Sequence, residues 1–503
     1  MRRFGLACAL LLLAGCVGLP QHVIKYRSEA LRSPQSTTLG RIAEESAEGI
    51  PANLSGIRLL TSGEEAFDSW IALADRAERT LDIQYYIIHQ DESARTLLRH
   101  VRAAADRGVR VRVLVDDLNT AGEDRRFMHL EQHANIDVRV FNPFPGGRSA
   151  TWSRILTSIS DIPRINHRMH NKLFVADNAV AITGGRNIGN EYFTRDQRSN
   201  FIDLDVVAVG PIVPQLSASF DAFWNSKYSY PISSLASPAP AESPPSQPPE
   251  EGEYTEEGNW LARELDAHAL QLTWVAATVL ADRTQKIASE SPSGDDVTMA
   301  KNIAALMRSA QKEVIVISPY FVPGEAGVAL MQELTERGVH IRILTNSLAS
   351  TDSALVHNGY ARYRVALLKL GVELGEVRPK LGQKRSRFHP FRSSHASLHA
   401  KALVIDQKTV FIGSMNMDRR SARLNSELGL VIRSPEIARQ VTSLLDDISA
   451  DGSYRLSLDR HDRIVWSSGE PGDEQIWHRD PETTFMQRFT LDLLAPFAPE
   501  ELL

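Results

Sequence analysis

The sequence predicts an α/β fold of two pseudo-symmetric lobes, each a mixed β-sheet flanked by helices, with the active site at the lobe interface. Two observations predict this fold. The 503-residue chain contains one strand–helix–strand unit twice, and each copy is followed by the same short polar motif. Strands that alternate with helices form parallel or mixed sheets that are covered on both faces.

The duplicated unit occupies residues 81–117 and 314–346. In each copy a β-rich run leads into a helix with apolar residues at helical spacing, and the helix leads into a strand. An Arg-Gly-Val segment closes the helix and opens that strand in both copies, at Arg107 and again 230 residues later at Arg337. This repeat is too long for a solenoid, so it indicates a duplicated lobe.

The remaining segments define the domain boundaries. Residues 56–230 are predicted to form the N-terminal lobe, and residues 259–450 the C-terminal lobe. Residues 231–258 between them are a predicted linker, with seven prolines among polar residues. Such a composition is extended and cannot bury a core.

Residues 451–503 follow the second copy as a C-terminal extension. A hairpin is expected around Trp466 and Trp477, followed by an apolar segment. We expect that segment to dock on the body rather than to lie in a membrane interface, because Pro496 and Pro499 interrupt any long helix. Its large apolar residues are Phe485, Phe489, Leu493, Leu494 and Phe497.

The composition excludes several classes of protein. Apolar residues make up 43% of the chain and charged residues 23%, which is typical of a soluble, core-forming protein and excludes wholesale disorder. The net charge of −6 argues against a general nucleic-acid binder, so no nucleic-acid partner is expected. Both cysteines, Cys8 and Cys16, lie in the first sixteen residues, which excludes a disulfide framework and a cysteine-based zinc site. No metal and no cofactor are expected, because no cluster outside the two motifs has metal-ligand spacing.

The first residues resemble a bacterial lipoprotein signal. Two arginines precede an apolar run at residues 6–13, far below the ~20 residues that span a bilayer. The run ends in Leu-Ala-Gly before Cys16, and the resemblance implies removal of residues 1–15, lipidation of Cys16 and a tether over residues 16–55. Cleavage would change the net charge from −6 to −8. The alternative is an ordinary secretory signal. Aspartate after the lipidated cysteine is associated with retention in the inner membrane, and this chain has Val17 there instead. If the host has two membranes, this favours an outer-membrane address facing the periplasm.

The motif that follows each copy carries the candidate chemistry. A histidine is followed by a lysine two residues later, by an aspartate seven residues later, and then by a glycine-containing segment that ends in asparagine. The matching residues are His170, Lys172, Asp177 and Asn187 in the first lobe and His399, Lys401, Asp406 and Asn416 in the second. A histidine and a lysine two apart on a strand project from the same face. Two such faces related by a pseudo-twofold axis form a pocket of imidazoles, ammonium groups and amides that suits a phosphodiester.

These paired motifs resemble those of the phospholipase D superfamily, over about residues 56–450. Within it, the Phe-Asn-Pro-Phe stretch at residues 141–144, the Arg-Met-His-Asn-Lys stretch at residues 168–172 and the segment at residues 184–193 resemble bacterial cardiolipin synthases, most closely those of the C type. The resemblance implies transfer of a phosphatidyl group between phospholipids without a metal.

The resemblance also implies a role for each motif residue. His170 would be the nucleophile that forms a phosphohistidine, and His399 would be the general acid and then the general base. Four residues would hold the phosphoryl oxygens, namely Lys172, Lys401, Asn187 and Asn416. The alternative for these four is a structural hydrogen-bond network.

A nucleophilic imidazole also needs a carboxylate on its far nitrogen, which fixes the tautomer. By the family pattern, Glu427 supplies this group in the second lobe and Asp203 in the first, with Asp205 as the next candidate. Asp177 and Asp406 each follow a motif histidine by seven residues, too far along a strand to touch it. We therefore expect these two aspartates to stabilise turns rather than to act in catalysis.

One departure from symmetry is visible within the motifs. Gly185 stands in the first lobe where Ser414 stands in the second, so one side of the site lacks a hydroxyl group. The difference fits two half-reactions with different alcohols, and it fits neutral drift equally well.

The leading functional hypothesis is a membrane-anchored phosphatidyltransferase of cardiolipin-synthase type, active as a monomer. Its expected substrates are phosphatidylglycerol and, as a second candidate, phosphatidylethanolamine. A phospholipase D hydrolase is the first alternative, because it shares every catalytic residue and differs only in the acceptor. A nuclease of the same superfamily is disfavoured by the negative charge. An inactive scaffold would need a broken motif, and both motifs are intact.

Overall fold

The computed structural model describes residues 18–148, 153–154, 157–158, 161–236, 259–287, 298–380, 395–469 and 474–494. The strands of its N-terminal half are β1 (Ser55–Leu60), β2 (Thr80–Tyr85), β3 (Arg110–Asp116), β4 (Ile136–Phe141), β5 (Leu173–Ala176), β6 (Val180–Gly184), β7 (Ser199–Ile202), β8 (Asp205–Val209) and β9 (Ser229–Pro231). The α-helices of this half are α1 (Thr38–Ser46), α2 (Gly63–Arg76), α3 (Glu92–Asp106), α4 (Asp124–Glu131), α5 (Ile162–Ile165) and α6 (Ile212–Trp224).

The C-terminal half repeats this pattern and then extends it. Its strands are β10 (Thr273–Ala281), β11 (Glu313–Ile317), β12 (His340–Asn346), β13 (Glu373–Val377), β14 (His395–Leu398), β15 (Ala402–Ile405), β16 (Thr409–Gly413), β17 (Leu428–Arg433), β18 (Ser453–Leu458), β19 (Ile464–Ser468) and β20 (Gln475–Trp477). Its α-helices are α7 (Trp260–Asp266), α8 (Met299–Arg308), α9 (Gly324–Glu336), α10 (Ala354–Ala361), α11 (Arg364–Lys369), α12 (Arg419–Arg423), α13 (Pro435–Asp451) and α14 (Phe485–Leu494).

The two halves form mixed sheets with the same strand order. The first sheet runs β9-β4-β3-β2-β5-β6-β8-β1, and β2, β3 and β4 in it are parallel. The second runs β10-β17-β16-β15-β11-β12-β13-β18-β19-β20, and β11, β12 and β13 in it are parallel. Strands β1 and β10 pair with each other and join the sheets. The predicted fold of two pseudo-symmetric α/β lobes is confirmed.

The Arg-Gly-Val turns show how local sequence sets this repeat. Gly108 and Gly338 adopt φ values of +97° and +80°, a left-handed conformation that glycine enters without steric cost. Each glycine therefore ends a helix, α3 or α9, and turns the chain into the parallel strand β3 or β12.

The interface between the lobes is apolar, and it is bridged by backbone pairing. One buried cluster contains Val175 and Val206 of the first lobe together with Val404 and Leu430 of the second. Strand β7 pairs in parallel with β14, and an isolated bridge joins Met169 to Ser426. Both pairings lie beside the motif histidines, so the fold places the two motifs at one interface.

Part of the segment that the sequence predicts to be a tether packs on the N-terminal lobe. The buried Arg112 donates to the Ser28 carbonyl at 2.9 Å, and Arg139 donates to the Tyr26 carbonyl at 2.6 Å. Helix α1 buries Leu39 and Ile42. The predicted signal, Cys16 and most of the linker lie outside the described residues.

The C-terminal extension adds β18, β19 and β20 to the second sheet, and Trp466 lies opposite Trp477 in the predicted hairpin. The expected docking of the following segment does not include Phe485 and Phe489, which are 69% and 51% exposed on α14. The side chains of Leu493 and Leu494, and all of Phe497, lie outside the described residues. Within the part of the chain that the structure describes, no helix is both long and apolar enough to cross a bilayer.

Candidate active site

The two motif histidines are positioned by backbone contacts that cross the lobe interface. The His170 N–H donates to the Ser426 carbonyl at 2.9 Å, and the His399 N–H donates to the Ile202 carbonyl at 2.8 Å. Each histidine lies just before the strand, β5 or β15, that follows its lysine. The two contacts are pseudo-symmetric equivalents, and each fixes a histidine against the opposite lobe.

Each imidazole is held by a carboxylate from the opposite lobe. His170 Nδ1 lies 2.9 Å from Glu427 Oε2, and His399 Nδ1 lies 2.5 Å from Asp203 Oδ2. Both carboxylates are buried. A carboxylate is an acceptor, so it holds the imidazole proton on Nδ1 and leaves Nε2 free to react. The structure thus brings together the four predicted residues in two pairs that cross the interface.

Burial controls the charge of these pairs. It lowers the pKa of His170 to about 4, although Glu427 acts to raise it. Burial would raise the pKa of Glu427, but His170 and Lys172 outweigh it and hold the carboxyl group below its usual range. Burial and Lys401 lower the pKa of His399 as well. The lowered pKa favours the neutral imidazole, which is the form that the predicted nucleophile role of His170 requires.

The two motif lysines form the cationic part of the site. Lys172 Nζ donates to the His170 carbonyl at 2.7 Å. Lys401 Nζ donates to the His399 carbonyl and lies 2.8 Å from His399 Nδ1. Burial, and then the field of Lys401, lowers the pKa of Lys172 to about 7, and burial lowers the pKa of Lys401 to about 8. Because the charge of one buried ammonium group acts on the other, the pair favours an anion between them.

The motif asparagines are buried but differ in their contacts. Asn187 Nδ2 donates to the Tyr192 hydroxyl at 3.0 Å, and its Oδ1 accepts from the Ile87 N–H at 3.3 Å. Asn416 Oδ1 has no hydrogen-bond partner among the described residues. Asn187 therefore takes part in a structural network, whereas the Asn416 side-chain oxygen is buried without such a network.

The motif aspartates lie at turns beyond the far ends of β5 and β15. Asp177 accepts from the backbone N–H groups of Glu78, Arg79 and Thr80 at 2.9, 2.7 and 2.8 Å. Asp406 binds three consecutive backbone N–H groups in the same way, at residues 311–313. These are the contacts of turn-stabilising groups rather than of groups at the reacting phosphorus.

Asp205, the second candidate for the first-lobe carboxylate, does not hold a histidine. It accepts from Arg186 Nη1 at 2.9 Å and from the Arg186 N–H at 3.2 Å. The neighbouring Asp203 is the group on His399.

The asymmetry between Gly185 and Ser414 has a steric cause. A Cβ atom at Gly185 would lie 2.1 Å from Asp203 Oδ1, which instead accepts the Leu204 N–H at 2.8 Å. In the other lobe the Ser414 hydroxyl donates to Glu427. Glycine therefore makes room for the shorter aspartate, and serine binds the longer glutamate.

Gly185→Ala is expected to lower kcat by ~100-fold or more, because the added methyl group displaces the Asp203 carboxylate from His399. The matched variant Ser414→Gly copies the first-lobe arrangement and should lose less, since Glu427 keeps its contact with His170. Steady-state kinetics and melting temperatures of both variants check this. If Gly185→Ala and Ser414→Gly had the same kcat and the same melting temperature, the prediction would be contradicted.

Three aromatic side chains near the imidazoles were not predicted. Tyr86 packs edge-on against His170 with ring centroids 5.0 Å apart, and Tyr192 and Phe201 lie 5.2 and 4.9 Å from the ring of His399. These rings restrict the imidazole planes and exclude water. The repeat gives no signal for Tyr192, because the position five residues after the second-lobe asparagine holds a serine.

A buried ion pair supports Glu427 from behind and was also missed. Asp282 Oδ2 accepts from Lys286 Nζ at 2.7 Å and from the Glu427 N–H at 3.1 Å. The Asp282 N–H in turn donates to the Glu427 carbonyl at 2.9 Å. These contacts fix the backbone that carries the carboxylate.

The comparisons with known proteins agree with this site. The cardiolipin synthase, PLD-like domain family matches residues 70–224 and 303–448 of the chain. Cardiolipin synthase C of Escherichia coli (strain K12) is 39% identical over 472 residues, which cover 89% of this chain and 96% of that protein. Cardiolipin synthase 1 of Bacillus anthracis is 25% identical over 416 residues, which cover 82% of this chain and 70% of that protein.

Among solved structures, the phosphatidylserine synthase of Haemophilus influenzae Rd KW20 is similar with a TM-score of 0.58 and 15% identity. The match covers 92% of this chain and 100% of that one. At this identity the likeness shows the shared fold alone. With the family match and the 39% identical relative, the chain belongs to the cardiolipin synthase, PLD-like domain family and is an enzyme of the phospholipase D superfamily.

Proposed function

We propose that the enzyme transfers a phosphatidyl group from one phospholipid to the glycerol hydroxyl of phosphatidylglycerol, making cardiolipin through a covalent intermediate on His170. The observation that carries the proposal is the pair of buried imidazoles, each held at Nδ1 by a carboxylate of the opposite lobe. The names of the relatives, cardiolipin synthases, support the choice of substrates. Because one chain supplies both pairs, a monomer suffices for activity.

In the first half-reaction, Nε2 of His170 attacks phosphorus and a P–N bond forms. The bond from phosphorus to the headgroup oxygen breaks, and His399 gives its Nε2 proton to that oxygen, so that the headgroup leaves as an alcohol. Lys172 and Lys401 bind the non-bridging oxygens, with Asn416 as the amide donor. Burial and Lys401 lower the pKa of His399 in the free site, and the bound phosphodiester anion opposes both effects.

In the second half-reaction, the glycerol hydroxyl of phosphatidylglycerol gives its proton to His399 Nε2 and attacks phosphorus. The P–N bond breaks, which releases cardiolipin and returns His170 to its neutral form. If water takes the place of the acceptor, the product is phosphatidic acid. Transferase and hydrolase thus use the same residues and differ in what reaches the phosphohistidine.

The test uses purified, detergent-solubilised protein with mixed phosphatidylglycerol and phosphatidylethanolamine, and products identified by mass spectrometry. The transferase proposal predicts cardiolipin with the wild type and none with His170→Ala, and the released alcohol names the donor. Phosphatidic acid in place of cardiolipin would establish the hydrolase. Absence of both products would contradict phospholipid chemistry.

We further propose that lipidated Cys16 tethers the protein to a membrane, with the outer membrane facing the periplasm as the address in a host with two membranes. The support is the sequence pattern of residues 1–16. Cys16→Ala should remove the lipid, detected as a mass change of the N-terminal peptide, and lower the fraction that sediments with membranes. An unchanged peptide mass would contradict lipidation.

A further inference from the structure

Helix α14 presents an apolar face to solvent. Phe485, Met486 and Phe489 are 69%, 63% and 51% exposed, and the two phenyl rings stack with centroids 6.0 Å apart. Leu355, 39% exposed, lies on α10, which packs against α14. We call these four residues the apolar face. Large side chains clustered in this way mark a contact surface rather than scattered surface residues.

The start of α14 is fixed to the body, so this exposure is not the fraying of a loose terminus. Just before the helix, Asp480 pairs at 2.9 Å with the buried Arg364, which also pairs with Glu376 at 2.8 Å. Two residues after Asp480, Glu482 accepts from the Tyr454 hydroxyl at 2.7 Å. These partners lie on α11, β13 and β18, and they set the direction in which the chain enters α14.

Helix α10 connects the apolar face to the segment that carries His399. His357 of α10 lies 3.2 Å from the Asn346 carbonyl, and the Asn346 side chain binds the Leu398 carbonyl at 2.9 Å and its N–H at 2.8 Å. Leu398 directly precedes His399. The exposed Asp352 just before α10 accepts from the Tyr320 hydroxyl at 2.7 Å. Its charge also acts to raise the pKa of His399. Helix α10 thus links the apolar face to the catalytic histidine.

Charge complementarity favours a lipid surface as the occupant. Two exposed cations are near α14 in the chain or through a contact: Arg479 precedes the helix by six residues, and Lys380 follows Arg378, which contacts Glu482 at 3.3 Å, by two. Aromatic residues beside cations are typical of helices that lie in the interface of anionic bilayers. A phospholipid also keeps its acyl chains in the bilayer, so the mouth of the site must approach that surface.

We propose that the apolar face docks the enzyme body on a bilayer that contains anionic phospholipid, with the mouth of the active site against the lipid surface. The proposal rests on the proposed function for its choice of lipid. It adds a second membrane contact, independent of the tether at Cys16.

The test measures flotation of the full chain carrying Cys16→Ala, which removes the tether. The vesicles are phosphatidylcholine alone or equal parts of phosphatidylcholine and phosphatidylglycerol. We expect binding to the anionic vesicles and a fall in the partition coefficient on the order of tenfold or more on adding Phe485→Ser and Phe489→Ser. The matched control is Ile24→Ser with Tyr26→Ser, two residues 77% and 81% exposed on the N-terminal segment, which should bind as the parent does.

Other partners for the apolar face would give different results in this test. Unchanged flotation of the phenylalanine variant overturns the proposal. Unchanged flotation together with a lowered melting temperature would assign the face to residues 495–503 of this chain, and unchanged flotation with loss of a dimer would assign it to a second copy.

An activity measurement separates this inference from the proposed function. The phenylalanine variant should turn over a short-chain phosphatidylglycerol, dispersed as monomers, at the wild-type rate and lose activity only on vesicles. If the wild type fails on the monomeric substrate, the proposed function fails while the flotation result still stands. If the variant loses activity equally on the monomeric substrate and on vesicles, the two phenylalanines support the fold rather than membrane binding, and the inference fails.

Discussion

His170→Ala is expected to lower kcat by ~10⁴-fold or more with every phosphodiester substrate, because the variant lacks the nitrogen that forms the P–N bond in the proposed mechanism. The fold should persist, since the side chain contacts Glu427 and Tyr86 at the interface but the backbone bond to Ser426 remains. Steady-state kinetics with a melting curve measure both effects. The control is His100→Ala, which removes an imidazole–carboxylate pair of 2.7 Å with Asp75 on the surface of α3.

The loss of activity in His399→Ala is expected to depend on the leaving group of the substrate. With a natural headgroup, the loss of the general acid costs ~10²–10⁴-fold. A p-nitrophenyl phosphodiester needs no protonation to leave, so this variant should release about one equivalent of p-nitrophenol in a burst. The reaction then stalls, because no base activates the acceptor, and a phosphohistidine accumulates at His170.

Mass spectrometry of the peptide that contains residue 170 checks that assignment. A burst in His170→Ala, with the label on His399, would reverse the roles of the two histidines. Burial lowers the pKa of both imidazoles, so their charge does not decide the order, and the expectation that His170 is the nucleophile follows the family pattern.

The repeat and its paired motifs were sufficient to predict the fold and the eight motif positions. The hydrophobic periodicity predicts where α3 and α9 end. The left-handed conformations of Gly108 and Gly338 directly after these helices confirm those ends. The sequence could also name Asp203 and Glu427 as carboxylates. It could not show which histidine each would hold, because that depends on how the lobes pack, and the pairs cross between them.

Other features depended on contacts that leave no local pattern. The N-terminal segment is polar and reads as a spacer, yet the buried guanidinium groups of Arg112 and Arg139 hold its carbonyl groups against the lobe. The apolar residues of α14 predict that the helix is buried, but the sequence pattern does not identify the surface that would cover these side chains. The structure leaves Phe485 and Phe489 in solvent.

Glu427→Gln is expected to lower kcat on the order of 10²–10³-fold while the backbone of the site stays in place. The amide can still accept from His170 Nδ1, so the tautomer is kept and the charge alone is lost. In the proposed mechanism that charge stabilises the positive imidazole ring of the phosphohistidine, and a charge acts most strongly inside a buried site. The Glu427 carboxylate also acts to raise the pKa of His170, so its removal lowers that pKa further below about 4.

The acid limb of kcat/KM should therefore move to lower pH in Glu427→Gln, although the plateau falls. A purely structural role of the carboxylate would lower the plateau and leave the limb unmoved. The matched control is Asp82→Asn, which neutralises a buried carboxylate paired with Arg112 at 2.6 Å outside the site. It should lower the melting temperature and leave kcat of the folded enzyme unchanged. A kcat of Glu427→Gln within about tenfold of the wild type would show that the charge opposite His170 does not stabilise the reacting imidazole.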